Sequence, residues 1–580
     1  MKKLIRMKKV YFRCLSLLIA GIILAVPLSS CKKKPAEDAS SLSSGQSAEN
    51  NGDGNELESG ESSPDGTEAG ATSGGNGSGT AGGTTQGGGT TGGNGGNNGN
   101  GTENNTTVGA DLSTYYFNVK DYGAKGDGKT DDVSAILKAI EAAKKVKGGI
   151  VYLPSGMYLM KKGITVPMGV VIKGDTPGTQ STWKEVKIQT SSQAAQKAGS
   201  SFLSASNFKG TFIVVDHGKG NVNSAPTFRL QGNAGIDSIG FVYKEQTPVT
   251  DSVSEYPPAI AMYSTKSYKG TREGVTIDNV YFANAYIGIA IGEITDLKSY
   301  DEGAAESVSI GRLRVHNITG GPLWKGILVK GVLDTVDFSN IQFGFTNFVP
   351  SYASYRHNNC RDLELAREDG AMVDNFTSFG ACYGIKSTYA HTGASSLRAN
   401  NLKIYGKYPL HFTSGMHKVY NAHLEMVNYN NYCTDKTFSG ISLIPNMQCV
   451  HQPFYLFNKV TVKNSLGKSG YTDSSMDIRL GKSANLTMND CTFTNTSGSN
   501  SVPVFNLDAQ DRSATSAFFY NVTVNGNNSG LLAKVNRMGT GSVQFNQSTI
   551  TDGLYQSVSS ANEIWFLNSK LSSGQTVNKH

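Results

Sequence analysis

The chain has 580 residues, 17% of them charged, with a formal net charge of +7. A basic first stretch of about +6 and an acidic second stretch of about −7 leave about +8 on the remaining ~470 residues. That excess is diffuse and forms no basic stripe with interleaved aromatics, which excludes nucleic acid as a partner and suits an acidic glycan. Sixty-eight glycines against 16 prolines, with abundant Asn, Ser and Thr, predict many short strands joined by turns.

Residues 1–31 begin with Lys2, Lys3, Arg6, Lys8, Lys9 and Arg13 and continue as an apolar run from Leu15 to Leu28. The run is too short to span a bilayer and ends at small residues, as a signal peptide does. Leu28-Ser29-Ser30-Cys31 resembles the bacterial lipoprotein lipobox, which implies that Cys31 is acylated and becomes the mature N-terminus. Lys32, not Asp, follows the cysteine, and by resemblance to known sorting rules this argues against inner-membrane retention. The expected location is the bacterial cell envelope, at the outer membrane or cell surface, with the lipid as the sole membrane contact. Residues 32–110 are Gly, Ser, Thr, Asn and scattered Glu, and cannot offset their ordering entropy by burial. They predict a disordered linker with a root-mean-square span of roughly 50 Å. The folded domain is expected over 111–580.

Asn118 to Tyr158 organises that domain. A Gly/Asp turn cluster, Asp121 to Gly128, precedes an amphipathic helix carrying Val133, Ile136, Leu137 and Ile140 at helical spacing. Thr130 and Asp131 sit where an N-cap belongs, and Asp132 lies in the first turn. Gly148 and Gly149 stop the helix, and Ile150 to Leu153 read as a buried strand. DYGAKGDGKTDD, a helix and then GGIVYLPSGMYL resemble the N-terminal signature of the pectate-lyase-like superfamily, in its rhamnogalacturonase/epimerase-like group. The resemblance implies an all-β fold, a right-handed parallel β-helix whose first coil is capped by this helix. Asp127, Asp131 and Asp132 are then turn and cap residues.

Beyond Gly163 a loose repeat supports coils. Segments such as Ile277 to Phe282, FSNIQF from Phe338, VDNFTSF from Val373, ANNLKIY from Ala399, FNKVTV from Phe457, MNDCTF from Met488 and FNQSTI from Phe545 share one form. An apolar residue, Asn or a polar stand-in, and alternating positions recur at roughly 21–41 residues, one β-helix turn with or without an insertion. Stacked Asn amides would bond rung to rung. An antiparallel sandwich fits the strands but not the recurrent Asn. Insertions are expected near 173–220, 245–271, 294–306 and 350–369, with Tyr256, Tyr263, Tyr268, Tyr352 and Tyr355 offering ring faces to sugars.

Glycoside hydrolysis needs converging carboxylates, whereas β-elimination needs a base and a cation that neutralises a uronate. The Asn-Thr-Asp, Gly-His-Gly and Arg-Ile-Lys motifs of the polygalacturonase-like relatives do not occur here. The densest acidic cluster, Arg361 to Gly370 with Asp374 beyond it, lies midway along the stack. For a hydrolase, Asp369 or Glu368 with Asp374 is the expected acid/base pair, with Arg367, His357 and Tyr355 meeting substrate. The same charges at i,i+3 and i,i+4 spacing equally suit a short surface helix. Asp237, Asp278, His316 and Asp374 align into one column whose carboxylates could share a proton, end strands or bridge calcium. No cofactor is expected, although a lyase would admit calcium, and no Cys/His spacing suggests zinc. Cys360 with Cys382 and Cys433 with Cys449 could pair, or stay as buried thiols. The expected function is cleavage of a polysaccharide by hydrolysis or β-elimination. The alternative is a non-catalytic glycan-binding or adhesion protein.

Overall fold

The computed structural model describes residues 112–177, 209–246, 252–263, 274–292, 294, 296–298, 310–332, 335–344, 350–388, 395–413, 415–433, 435, 437–444, 453–466, 476–480, 484–495, 504–509, 516–525, 531–536, 543–550, 554–557, 564–571 and 576–579. The expected signal peptide, Cys31 and the linker lie outside them, as do Cys449 and Tyr268.

Among the described residues the strands join into one sheet whose pairings are parallel, apart from the last, Ile564–Lys570 against Thr576–Lys579. Each strand pairs with its equivalent one coil later, which is a parallel β-helix, right-handed as parallel crossovers are. The sandwich alternative is excluded, because hairpins would pair neighbours antiparallel. Register runs without a slip through the inward column Ile277, Val315, Phe338, Val373, Ala399 and Val419. It continues through Phe457, Met488, Phe519, Phe545 and Phe566. All of these side chains are buried, and the Phe519 and Phe545 rings stack at 4.5 Å.

One corner of each coil is turned by a single residue in the left-handed region. Asn279, Asn317, Asn340, Asn375, Asn401, Asn421, Asn521 and Asn568 hold φ between 48° and 55°, and Lys459, Asp490 and Gln547 stand in at the same corner. Asn tolerates this conformation because its short amide bonds locally. Here the amides bond along the stack: Asn340 Nδ2 donates to Asn317 Oδ1 at 3.1 Å, and Asn375 Nδ2 to Asn340 Oδ1 at 2.8 Å. The expected Asn ladder is therefore present.

The helix α1, Val133–Lys145, buries Val133, Ala135, Ile136, Ala139, Ile140 and Ala143. It packs on strands Tyr116–Asn118, Gly149–Leu153, Ile164–Val166 and Val170–Gly174, covering the first coil. Asp132 is the N-cap residue, but its carboxylate accepts the Lys125 and Gly126 amides at 2.6 and 3.0 Å. Asp127 likewise accepts from the amides of Lys129 and Thr130. These acids are turn residues, as expected.

The segment 350–369 is not a loop. Helix α2, Pro350–Asn359, is followed directly by a strand from Arg361. Leu363 and Leu365 are both fully buried, so the alternation is that of a strand and the short surface helix is excluded. Tyr256 and Tyr352 are core residues, which removes them as sugar platforms. Cys360, Cys382, Cys433 and Cys491 are buried free thiols.

The corner sets a stability test. Asn375→Gly keeps the left-handed conformation but loses the ladder bond, and should cost roughly 0.5–1.5 kcal/mol. Asn375→Val adds roughly 1–2 kcal/mol of backbone strain. Denaturant unfolding should rank wild type above Gly and Gly above Val.

Candidate functional site

A second row of strands places charged side chains one coil apart. Lys325 is in register with Arg361, and Leu328 with Glu364. The Tyr383 amide donates to the Cys360 carbonyl at 2.9 Å, which sets 383–388 beside 361–365. Tyr383 then pairs with Tyr408, Lys386 with His411, and His411 with Ser442. Lys325, Arg361, Glu364, Lys386 and His411, scattered in sequence, become neighbours.

Glu364 is the centre. Its carboxylate meets Lys325 Nζ at 2.9 Å, Arg361 Nε at 3.6 Å and Lys386 Nζ at 3.6 Å. Exposure grades outward: Glu364 and Lys325 are 1% exposed, Lys386 14% and Arg361 25%. Burial pushes the Glu364 carboxyl up, but the fields of Lys325, Arg361 and Lys386 outweigh it and bring it to about 2. Burial lowers the Lys325 ammonium, opposed by Glu364. Among the described residues this cluster joins one carboxylate to three cations. Around it, Lys325 Nζ lies 4.6 Å from the Trp324 ring, and Trp324 stacks on Tyr286 at 5.1 Å. His411 meets Tyr383 edge-on at 5.2 Å, with Nδ1 3.1 Å from Ser442 Oγ. Burial lowers the His411 imidazole to about 3, helped by the charges of Lys386 and Arg361, so it is neutral near neutral pH.

A buried lock fixes the strand end that carries Arg361. Arg356 on α2 donates through NH2 to both oxygens of Asp362 at 2.8 and 2.7 Å, and Ser378 Oγ donates to Asp362 at 2.6 Å.

The residues expected from the acidic cluster have other partners. Asp374 does fall in register with the column of Asp237, Asp278 and His316. Its Oδ1 accepts from the amides of Asn400 and Asn401 at 2.9 and 3.1 Å, as a ladder acceptor. Asp278 accepts from Asn317, and Asp237 pairs with Lys173. Glu368 is fully buried and accepts from Ser395 Oγ at 3.2 Å. Asp369 and Arg367 lie on the strand, but their side chains are outside the described residues. His357 is 0% exposed and lies against the Tyr429 ring at 5.8 Å, so it cannot steer a substrate. Burial lowers its imidazole to about 4. Tyr355 is half-buried, with its hydroxyl 3.1 Å from that of Tyr286. The cationic cluster went unread because its row of strands carries no left-handed Asn to align on.

Residues 116–293 match the family described as Rhamnogalacturonase A/epimerase, pectate lyase-like. Over those residues this parallel β-helix is similar to a pectate-lyase-like family. This β-helix protein is 59% identical over 56 residues to Alginate lyase 7 of Azotobacter vinelandii, covering 10% of this chain and 6% of that one. It is 35% identical over 115 residues to Mannuronan C5-epimerase AlgE3 of the same bacterium, covering 19% of this chain and 6% of that one. The chain thus spans about 6% of the length of these curated relatives. Among solved structures, the N-terminal fragment of bacteriophage phi29 gene product 12 aligns over 80% of this chain and 73% of that one, at 16% identity and a TM-score of 0.43.

Calcium does not fit the β-helix residues proposed for it. Lys173 already neutralises Asp237, and the three cations around Glu364 would repel a divalent ion. Among the described residues no three His, Cys, Asp or Glu side chains gather as a metal site.

Glu364→Gln strands the Lys325 charge in a buried setting and should destabilise by roughly 3–5 kcal/mol. Adding Lys325→Met should recover most of that loss in denaturant unfolding. The pH dependence has two parts. Glu364 contributes stability above its unfolded value of about 4.5, and that contribution is lost as pH falls towards 2. His357 and His411 have folded values of about 4 and about 3 against an ordinary 6.5, so the unfolded chain takes up protons first. Stability should therefore fall as pH drops from 6.5 to about 4. His411→Gln should flatten that limb by up to about 1.4 kcal/mol per pH unit.

Proposed function

We propose that this β-helix acts on a polysaccharide bearing carboxylates and cleaves it by β-elimination at the Glu364 cluster. The observation that carries the reading is the charge arrangement: a single buried carboxylate is held by Lys325, while Lys386 and Arg361 reach it from partly exposed positions. Hydrolysis would need two carboxyl groups flanking the bond. Elimination needs cations to hold the uronate carboxylate and stabilise the charge that spreads onto it when the adjacent carbon loses its proton. In this reading Arg361 and Lys386 receive the carboxylate. His411, neutral in the free protein, is the proton acceptor, and its basicity rises when the substrate anion neutralises the two cations beside it. The C5 proton passes to His411, the C4–O bond breaks with the leaving oxygen taking a proton from water, and a carbon–carbon double bond forms between C4 and C5. The names of Alginate lyase 7 and Mannuronan C5-epimerase AlgE3 support a uronate as the substrate class.

Binding without cleavage is the second reading. The near-complete burial of Lys325 and Glu364 favours it, since a sealed ion pair serves structure as readily as catalysis. The proposal extends to location. The lipobox-like Leu28 to Cys31 and the Gly-rich stretch after it support a lipid-anchored protein of the bacterial cell envelope.

Incubation with polyuronates should release unsaturated ends that absorb in the ultraviolet, whereas neutral glucans should yield none. Arg361→Ala and Lys386→Ala should each lower the rate by 100-fold or more, about 2.7 kcal/mol of barrier, while Asp374→Asn should leave it unchanged. Reducing ends without ultraviolet absorbance would mean hydrolysis. Retention on a uronate column with no product would mean binding alone.

A further inference from the structure

Seven large hydrophobic side chains are exposed among the described residues, and four of them belong to the first coil and its cap: Tyr115 at 46%, Tyr116 at 44%, Val146 at 42% and Met168 at 46%. Glycines bring their backbones together. The Gly149 amide donates to the Gly169 carbonyl at 3.1 Å. A Cβ on Gly148 would stand 2.7 Å from the Gly169 oxygen, and one on Gly149 2.6 Å from the Tyr115 oxygen. The end of α1, the turn before Val170 and the chain entering at Tyr115 therefore meet at one place.

Val146 also lies among Lys144, Lys145 and Lys147, all exposed. Lys144 reaches Glu141 only at 3.5 Å, with both side chains 60% exposed. Lys147 adopts φ 65° as the helix ends. An exposed apolar side chain flanked by three lysines, with Met168 and Tyr115 close by along the backbone and the Glu364 cluster many coils away, is the pattern of an interfacial contact.

We propose that this end of the domain docks on an anionic lipid surface, with Val146, Met168 and Tyr115 entering the headgroup region and Lys144, Lys145 and Lys147 meeting lipid phosphates. A second copy of the chain is disfavoured, because it would bring two lysine-rich faces of the same sign together. A hydrated acidic glycan would satisfy the lysines, but it would gain little from aliphatic Val146 and Met168, whereas a bilayer rewards both. The proposal is independent of the reaction at Glu364.

The test is amide hydrogen exchange on the full chain, read locally so that any attachment elsewhere does not enter. With vesicles of phosphatidylglycerol and phosphatidylcholine, peptides spanning 143–149 and 166–170 should exchange more slowly. Pure phosphatidylcholine should give no protection. Lys144→Glu/Lys145→Glu/Lys147→Glu should raise the lipid concentration needed by roughly 100-fold, at about fivefold per lysine. Val146→Ser/Met168→Ser should weaken protection with the charges intact. Equal exchange with and without anionic vesicles, or protection by a polyuronate alone, would overturn the proposal.

Discussion

The structure depends on parallel register: each strand hydrogen-bonds its equivalent one coil later, and a residue's neighbours are set by coil position, not by sequence distance. The left-handed corner residue makes that register regular. Its conformation excludes most side chains, and Asn both tolerates it and supplies an amide that bonds the next Asn along the stack. A geometric requirement within one coil thus becomes a continuous column of hydrogen bonds. The ladder also absorbs acids: Asp278 and Asp374 accept from those amides, which makes them part of the corner.

Much of the fold was legible for this reason. Asn279, Asn340, Asn375 and Asn401 mark the corners, and even Lys459, Asp490 and Gln547 occupy the position their neighbours indicate. The capping helix was legible from Val133, Ile136 and Ile140, because a helix on an open strand stack must present one apolar stripe. The stretch from Arg361 to Asp369 is ambiguous in sequence for a physical reason. Its charges satisfy helical spacing while Leu363 and Leu365 satisfy strand alternation, and burial of the two leucines decides between them. Local patterns cannot rank those terms, because the surface that receives the leucines comes from other coils.

The cationic cluster was not legible at all. Lys325, Glu364, Lys386 and His411 come from successive coils of different length, and nothing at those positions resembles a motif. Only the registers Leu328–Glu364 and Lys386–His411 bring them together. The acidic run, by contrast, drew attention because its members are adjacent in sequence. Adjacency along a strand sends alternate side chains to opposite faces, so a dense acidic run is a poor guide to convergence in this fold.

Burial then assigns the charges different work. Lys325 and Glu364 are sealed together, and separating them would leave a charge without water or partner. Arg361 and Lys386 approach the same carboxylate from outside, at longer distances and with more solvent. Among the described ion pairs one carboxylate meets three cations, and in the proposed reading the outer two receive the incoming anion. The inner pair holds the geometry and the outer pair holds the excess charge. Arg356 on Asp362 keeps the strand end that presents Arg361 from shifting. A cation excess built in this way persists without substrate, because it is fixed by the same coil register that forms the core. The proposed preference for an acidic polymer thus rests on how the stack is wound.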